Sequence, residues 1–278
     1  MTGRAVSTIC ATLGISRATV YREAAARPAR YAKADDRVVA AQIRAVIRDR
    51  GSYGYRRVTA LVNRGFAAGY NRKRVRRVMA LNAWTLPTRA KRVTGRAHRG
   101  TIRRDGSNER WCSDSFEVAC ANGDVVEVGF ALDCCDRECL AAVAHPRALG
   151  GADIRALMQA AVAARFGPGR RPAAPLQWLS DNEGMYTALE TVIAAERLGL
   201  TPITTPAYSP QSNGMAEAFV KTMKRDYVDG ADLGSAAAVL AQLPAWVADY
   251  NGVAPHSALG YRAPLDYRAH QQREQRTP

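Results

Sequence analysis

A change of pattern at Trp111 is the feature that most constrains the fold of this 278-residue chain. In the segment VVEVGFAL at 125–132, Val126, Val128 and Phe130 recur with period two, which predicts a strand with one buried face. Upstream, WCSDSFEV predicts a first strand. Downstream, the pattern predicts strands at 138–144, 176–180 and 200–204 and helices at 151–166, 185–198, 212–228 and 235–250. Three strands followed by alternating helices and strands predict a mixed α/β sheet covered by helices.

The charge of the chain is divided unevenly at about the same point. Residues 1–110 contain 26 Lys and Arg against 6 Asp and Glu, a net +20, whereas residues 111–278 contain 14 against 19, a net −5. A basic front half joined to a mildly acidic back half is expected of a nucleic-acid-binding region attached to an enzyme that binds metal ions through carboxylates. A solvated basic surface, or a ribosome-like binder, is the alternative that charge alone leaves open.

Residues 6–23 (VSTICATLGISRATVYRE) carry a helix, turn and helix pattern. Val6, Cys10 and Leu13 follow helical spacing, Gly14 breaks the pattern, and Ser16 is a candidate N-cap for a second short helix. This order indicates a helix-turn-helix, although an ordinary helical hairpin has the same pattern. We therefore predict a partial helix-turn-helix at 1–30.

Residues 36–87 predict a second helical DNA-binding unit. A helix from Asp36 to Arg50 precedes the turn GSYG, a second helix starts near Tyr55, and Asn71 caps a third helix at 72–81. One face of this third helix is apolar and the rest is cationic, so it is suited to a DNA backbone or groove, while a solvated face is the alternative. The candidate DNA contacts are Arg56, Arg57, Arg72, Lys73, Arg74, Arg76 and Arg77. Residues 88–109 follow as a basic linker.

Cysteine spacing and hydropathy exclude other classes of protein. None of the six cysteines forms Cys-x-x-Cys and no pair of histidines has finger spacing, so zinc is not indicated and reduced, partly buried thiols are expected. The chain has no signal peptide and no run of 18 apolar residues. These features predict a cytoplasmic protein without a membrane partner.

Three acidic residues occupy positions that suit metal chemistry. Asp114 lies in the first predicted strand, Asp181 directly follows the strand LQWLS, and Glu217 lies on the helix at 212–228. Phosphodiester transfer by two divalent ions needs hard oxygen ligands around metals roughly 3.5–4 Å apart. Lys221 and Lys224 follow Glu217 on the same helix face and could hold DNA phosphate. From this helix alone, an ordinary exposed Glu–Lys pair worth about 0.3–0.5 kcal/mol is a sufficient explanation.

Several segments together resemble the B-frame transposases of bacterial insertion sequences, members of the retroviral-integrase superfamily with an RNase H-like core. They are YGYRRV at 53–58, NRKRVRRVM at 71–79, RWCSD at 110–114, FALDCCDRE at 130–138, WLSDN at 178–182, SPQSNGMAEAFVKTMKRDY at 209–227 and PHSALGYRAP at 255–264. The 35 residues between Asp181 and Glu217 match the spacing of that family's catalytic triad. Lys224 matches its usual basic residue.

The resemblance implies a fold, a site and an activity. It implies an RNase H-like catalytic core at 110–230. The pattern of the sequence adds a C-terminal helix and a polar tail at 231–278. Asp114, Asp181 and Glu217 become the ligands of Mg²⁺ or Mn²⁺, with two ions expected. The implied activity is DNA end cleavage and strand transfer during transposition.

The same resemblance implies partners and leaves rivals. DNA of the element's terminal repeats and of the target is the substrate, an A-frame product is a partner or fusion, and a homo-oligomer on DNA is expected. A non-catalytic DNA-binding regulator and a resolving nuclease that cuts without joining are the rivals. The intact triad argues against the first, and a joined DNA product would exclude the second.

Other polar residues receive lesser roles. Asn182 and Asn213 are expected to line the site. For Asp133 and Asp136 we favour a structural or substrate-positioning role, since they lie outside the triad. His256 either contacts DNA or ties down the C-terminal segment, and the sequence does not distinguish these.

One position departs from the family pattern. After the second Asp the family usually has Asn-Gly-Ser, whereas this chain has Asn182, Glu183 and Gly184. Glycine there would serve a tight turn or a close approach of backbone to DNA. Glu183 removes that freedom and adds negative charge, so we expect partial impairment of the enzyme. A side chain pointing to solvent, or an added outer metal contact, are the alternatives.

Overall fold

The computed structural model describes residues 6–18, 32–87, 104–205 and 214–274. The first helix, α1 (Val6–Leu13), ends where Gly14 takes a left-handed φ of 62°. The predicted partner helix through Tyr21 extends past residue 18 and so lies largely outside the described residues. Most of the linker predicted at 88–109, and Asn213, lie outside them as well.

Three helices form the front unit: α2 (Asp36–Ile47), α3 (Tyr55–Gly65) and α4 (Arg72–Leu81). The predicted cap is confirmed, since the Asn71 side chain accepts a hydrogen bond of 2.8 Å from the backbone N–H of Lys73. Helix α2 ends three residues earlier than predicted. The three helices share one small apolar core, made by Val39, Ile43, Tyr53, Val58, Leu61, Val62, Val75, Val78 and Met79.

Five strands form one mixed sheet in the order β3-β2-β1-β4-β5. They are β1 (Arg110–Ala119), β2 (Val125–Asp133), β3 (Cys139–His145), β4 (Leu176–Ser180) and β5 (Leu200–Thr204). The first three strands are antiparallel neighbours, and β1, β4 and β5 run parallel. The predicted mixed sheet is therefore confirmed.

Helices cover both faces of the sheet. On one face α5 (Gly151–Phe166), α6 (Gly184–Thr187) and α7 (Leu189–Arg197) pack around the buried indoles of β1 and β4. On the other face α8 (Gly214–Asp226) and α9 (Ala236–Gly252) pack against β1 and β2. Since α9 shares one apolar cluster with α8 and the strands, the sheet is closed on both sides.

Two elements differ from the prediction. The single helix predicted at 185–198 is split, because Ala188 is extended (ψ 137°) and its carbonyl accepts the first hydrogen bonds of α7. The predicted polar tail contains a helix, α10 (Pro264–Glu274). This helix lacks an apolar stripe and is held by polar contacts, such as the 2.9 Å ion pair of Arg268 with Glu138. Hydrophobic periodicity could not have revealed it.

The cysteines and the lengths of the helices are two further features of the described chain. All six cysteines are free and buried, as predicted. Across the described parts of the chain, none of the helices combines the length and the apolar character that crossing a bilayer requires.

A buried ionic cluster closes one end of the core. Arg165, 1% exposed, donates to both oxygens of Asp136 at 2.9 and 3.3 Å and lies 3.3 Å from Glu138. Asp133, itself fully buried, accepts from the indole Nε1 of Trp111 and from backbone N–H groups. These contacts give Asp133 and Asp136 a structural role, which is one of the two roles that the sequence favoured.

Removal of Arg165 should destabilise the fold strongly. Arg165→Met leaves several buried carboxylates without their cation, and breaking such a pair costs about 3–5 kcal/mol of unfolding free energy. The matched control is Arg155→Met, because Arg155 makes a surface pair with the 80%-exposed side chain of Glu190. That control should cost less than about 1 kcal/mol. Denaturant titration of both variants measures the difference, and equal losses would contradict the assignment.

Candidate catalytic and DNA-binding sites

The register of two parallel strands brings the first two carboxylates together. Cys112 of β1 lies opposite Leu179 of β4. Asp114 and Asp181 each follow two residues later, so they stand side by side where β4 ends. The backbone N–H of Ser115 donates to Asp114 at 2.9 Å. The strand pairing alone therefore places two acidic side chains at one edge.

Helix α8 brings the third carboxylate over the same strands. The Phe219 ring lies 4.4 Å from that of Phe130, measured between centroids, and Phe130 is the cross-strand partner of Asp114. Glu217 lies in the first turn of α8, two residues before Phe219. Apolar packing of this helix on β1 and β2 thus carries Glu217 to the carboxylate edge.

The three carboxylates interact electrostatically. Burial, together with the negative charges of Asp181 and Glu217, raises the pKa of Asp114 to about 6. The third carboxylate, Glu217, already forms an ion pair, since its Oε2 lies 3.0 Å from Lys221 Nζ. Both side chains are well exposed. The result is a partly buried, mutually repelling set of oxygens.

The chemistry of this set fits a divalent cation. Carboxylate oxygens are the hard ligands that Mg²⁺ and Mn²⁺ prefer, and such an ion relieves the repulsion that Asp114 experiences. Within the described ranges, no three His, Cys, Asp or Glu side chains stand close enough together to hold one ion.

Neighbouring polar groups fix the backbone under the carboxylates. Asn182, predicted to line the site, donates through Nδ2 to the Thr205 carbonyl at 2.8 Å, which joins the end of β4 to the end of β5. Below them, the hydroxyls of Ser113 and Tyr186 are 3.0 Å apart and buried. Sequence reasoning missed this pair, because a serine in a strand and a tyrosine in a short helix give no local signal.

Glu183 faces the negative charges of the site. Burial raises its pKa, and Asp181, Asp114 and Glu127 add to the effect. Its backbone φ of −65° is ordinary for any residue, so the position does not need the conformational freedom of glycine. The expectation of a turn that requires glycine is therefore wrong, whereas the close approach of backbone to DNA and the effect of the added charge stay predictions.

Glu127 is a further acidic neighbour that the sequence analysis overlooked. It accepts 2.7 Å hydrogen bonds from the Ser115 hydroxyl and from the Leu149 backbone N–H. A glutamate inside the otherwise apolar segment VVEVGFAL was the signal that could have found it. Its contacts connect β1, β2 and the start of α5 beside the site.

His256 has a structural environment. Burial lowers its pKa to about 4, and its ring lies edge-on to Tyr250 with centroids 4.6 Å apart. Its backbone forms an isolated bridge with Arg262. Of the two roles that the sequence left open, these contacts fit the tie of the C-terminal segment.

The cations of α4 divide into two groups. Arg72, Lys73 and Arg76 are exposed. Arg77 instead donates to both oxygens of Asp36 at 2.8 Å, which fixes α4 to α2, and Arg74 lies 3.8 Å from the same carboxylate.

The two arginines at the start of α3 divide in the same way. Arg56 is exposed beside Tyr55, whereas Arg57 pairs with Asp226 at the end of α8. Arg57 and Arg77, two of the predicted DNA contacts, therefore form ion pairs with aspartates of the same chain. The exposed cations available to a ligand from this set are Arg56, Arg72, Lys73 and Arg76.

Comparisons with known protein families agree with this organisation. An HTH-like domain model matches residues 33–92, and two models described as integrase core domain match residues 104–210 and 198–264. Transposase InsD for insertion element IS2D of Escherichia coli (strain K12) is 44% identical over 239 residues, covering 84% of this chain and 79% of the relative.

A longer relative and a solved structure extend the comparison. The insertion element IS2A uncharacterized 48.2 kDa protein of Escherichia coli is 43% identical over 85% of this chain, which spans only 57% of that protein. A chain of the simian T-cell lymphotropic virus intasome, solved in complex with PP2A regulatory subunit B56 gamma, has the same fold. The TM-score is 0.50 at 16% identity, over 82% of this chain and 73% of that one. The chain belongs to the insertion-element transposases of the integrase superfamily, with an HTH-like unit in front of an RNase H-like integrase core.

Proposed function

We propose that this transposase cleaves the ends of a mobile element and joins them to target DNA, with Mg²⁺ or Mn²⁺ held by Asp114, Asp181 and Glu217. The observation that carries the proposal is the geometry of the sheet edge: the register of β1 and β4 places Asp114 beside Asp181, and the packing of Phe219 on Phe130 brings α8, with Glu217, over the same strands. Two bound ions would supply activation of the attacking hydroxyl and stabilisation of the leaving oxygen.

The protein's own residues provide orientation and charge. The strands fix Asp114 and Asp181 on a rigid sheet edge, and α8 adds Glu217 with Lys221 and Lys224 on its exposed side. These lysines would bind the phosphates flanking the reacting bond. No covalent intermediate with the enzyme is needed, since the freed 3′-hydroxyl attacks the target phosphodiester directly.

The front unit would hold the terminal repeat. Arg72, Lys73 and Arg76 on α4, with Arg56 on α3, present exposed positive charge to DNA phosphates. We further propose that the chain acts as an oligomer on two element ends, and that an A-frame product joins it as partner or fusion. The greater length of the 48.2 kDa relative supports a fused form. We also propose that the protein acts on DNA in the cytoplasm.

Loss of any one carboxylate should abolish the chemistry without abolishing DNA binding. Asp114→Asn, Asp181→Asn and Glu217→Gln each remove a metal ligand with little change of shape. Groups that merely support metal ligands already cost about 10- to 100-fold when changed. Cleavage and joining of a DNA fragment carrying the element's ends should therefore fall by more than about 100-fold.

A matched carboxamide on the surface controls that experiment. Glu190→Gln, whose side chain is 80% exposed on α7, should retain both activities. Normal joining by any triad variant would refute the site. A parent enzyme that cuts but never joins would favour a resolving nuclease, and intact DNA after incubation with Mg²⁺ would favour a non-catalytic regulator.

Neutralising the exposed face of α4 should weaken the salt dependence of DNA binding. Each cation that contacts a phosphate contributes about 0.9 to the slope of log affinity against log salt concentration. Substituting Arg72, Lys73 and Arg76 by Gln should lower the magnitude of that slope by about 2–3 in a binding titration. The control changes the exposed Arg170, Arg171 and Arg197 of the core, which carry the same total charge. If both triple variants bind like the parent, α4 is a solvated face.

Removing the charge at position 183 should accelerate joining. A like charge near the site repels phosphate by about 1 kcal/mol at high dielectric, which corresponds to about fivefold in rate. Because the backbone at Glu183 does not need glycine, Glu183→Gln should gain as much as Glu183→Gly at fixed Mg²⁺. A gain with Gly alone would return the cause to the backbone, and a loss with both would mean that Glu183 assists the enzyme.

A further inference from the structure

Among the residues that the structure describes, three ion pairs connect the front unit to the catalytic core. Arg50 lies just after α2, and Arg57 and Arg64, seven residues apart, lie on one face of α3. Their partners are Asp249 on α9, Asp226 on α8 and Asp266 on α10, respectively. We call these three pairs the arginine clamp. One surface of the front unit thus contacts three separate helices of the core.

The pair at Asp226 is the most buried of the clamp. The Asp226 side chain is 1% exposed, and it accepts from Arg57 at 2.5 Å, from the Ser52 hydroxyl at 2.6 Å and from Arg225 at 2.7 Å. Burial alone would raise the pKa of Asp226, but these hydrogen bonds hold it at about 2. The carboxylate is therefore ionised, and fully engaged, at any physiological pH.

The Arg50–Asp249 pair is bidentate, and Arg50 and Arg57 both lie against the ring of Tyr53. Both terminal nitrogens of Arg50 donate to Asp249, and the Tyr227 hydroxyl donates to the same carboxylate at 2.9 Å. Arg50 also donates to the Tyr53 hydroxyl, while the Arg57 guanidinium lies 3.4 Å from the centre of that ring. Charged pairs with such fixed geometry specify orientation, and partial burial shields them from salt.

Helix α8 connects the clamp to the chemistry. Asp226 is its last residue and Glu217 lies nine residues earlier, a distance of about 13 Å along the helix axis. The Arg57–Asp226 pair therefore attaches the front unit directly to the helix that carries the third carboxylate. The exposed cations of α4 belong to the same small helical unit that the clamp joins to the core.

We propose that the arginine clamp fixes the DNA-holding unit to the active site and thereby determines which phosphodiester of the element end is cut. The inference rests on the proposed function, because it concerns the register of that cleavage. Arg57 and its partners are positioning residues, since they contact the core and not the reacting atoms. The competing interpretation is a latch that opens when DNA phosphates take over the arginines.

Charge reversal tests the clamp in the full-length chain. Arg50→Asp and Asp249→Arg each break one pair, and the double variant restores it with opposite polarity. Arg48→Asp is the matched control, because Arg48 is 78% exposed and pairs with the adjacent Asp49. The substrate is a DNA fragment carrying the element's end, with the cut position mapped to the nucleotide in Mg²⁺.

The parent and the control should cut at one position. Each single reversal should spread cleavage over neighbouring phosphodiesters, and the double reversal should restore the single position. A merely structural pair would lower the yield of product without changing the position. Unchanged cut positions in both single variants would overturn the register role.

A distance measurement tests the clamp independently of cleavage. Spin labels at Val38→Cys on α2 and Leu189→Cys on α7 occupy exposed sites, 58% and 73%, on the two units. The distance distribution should be narrow in the parent and in the double reversal, and broad in each single reversal. A narrow distribution in the single variants would overturn the clamp, and broadening of the parent on addition of DNA would establish the latch instead. A parent that does not cut would refute the proposed function and the register role, while this measurement still decides the clamp.

Discussion

Strand β1 hydrogen-bonds to β4 in parallel over three residue pairs, from Arg110 with Gln177 to Cys112 with Leu179. A parallel pair needs a long crossover, and here β2, β3 and α5 provide it. That crossover lays α5 on one face of the sheet and leaves the opposite face for α8 and α9. The same three pairs put Asp114 beside Asp181. The placement of α5 and of two of the three carboxylates of the proposed site thus depends on one short parallel contact.

The charged residues of the front half serve two different purposes. Arg50, Arg57, Arg64 and Arg77 are paired with aspartates of this chain, so part of the positive charge binds the protein to itself. Among the front-half cations predicted to contact DNA, the exposed ones lie on α4 and at the start of α3. A net charge of +20 in the front half therefore overstates the number of contacts available to DNA. Which arginines stay available is decided by where the aspartates lie in three dimensions.

Much of the sheet could be predicted because its strands and the helix α5 carry local signals. The alternation of apolar residues along 125–132 and the apolar stripe along 151–166 can each be recognised from that segment alone. The triad came from spacing shared with a family, since no local pattern links Asp114 to Glu217. The rest depends on contacts far apart in sequence: Arg57 looked like a DNA contact because Asp226 is 169 positions away. Helix α10 was missed because polar contacts hold it, and the break at Ala188 because alanine is an ordinary helix residue.

The packing of α8 and α9 has a consequence for synthesis of the protein. Glu217 meets Asp114 only after more than a hundred further residues have been made, and the apolar cluster that seats α8 also needs Trp246 and Tyr250 of α9. Chains emerge from the ribosome N-terminus first and fold as whole domains. A nascent or prematurely ended chain therefore already contains the positively charged front half but not Glu217, the third carboxylate. The order of the elements along the chain therefore completes the set of three carboxylates only when the protein is nearly finished.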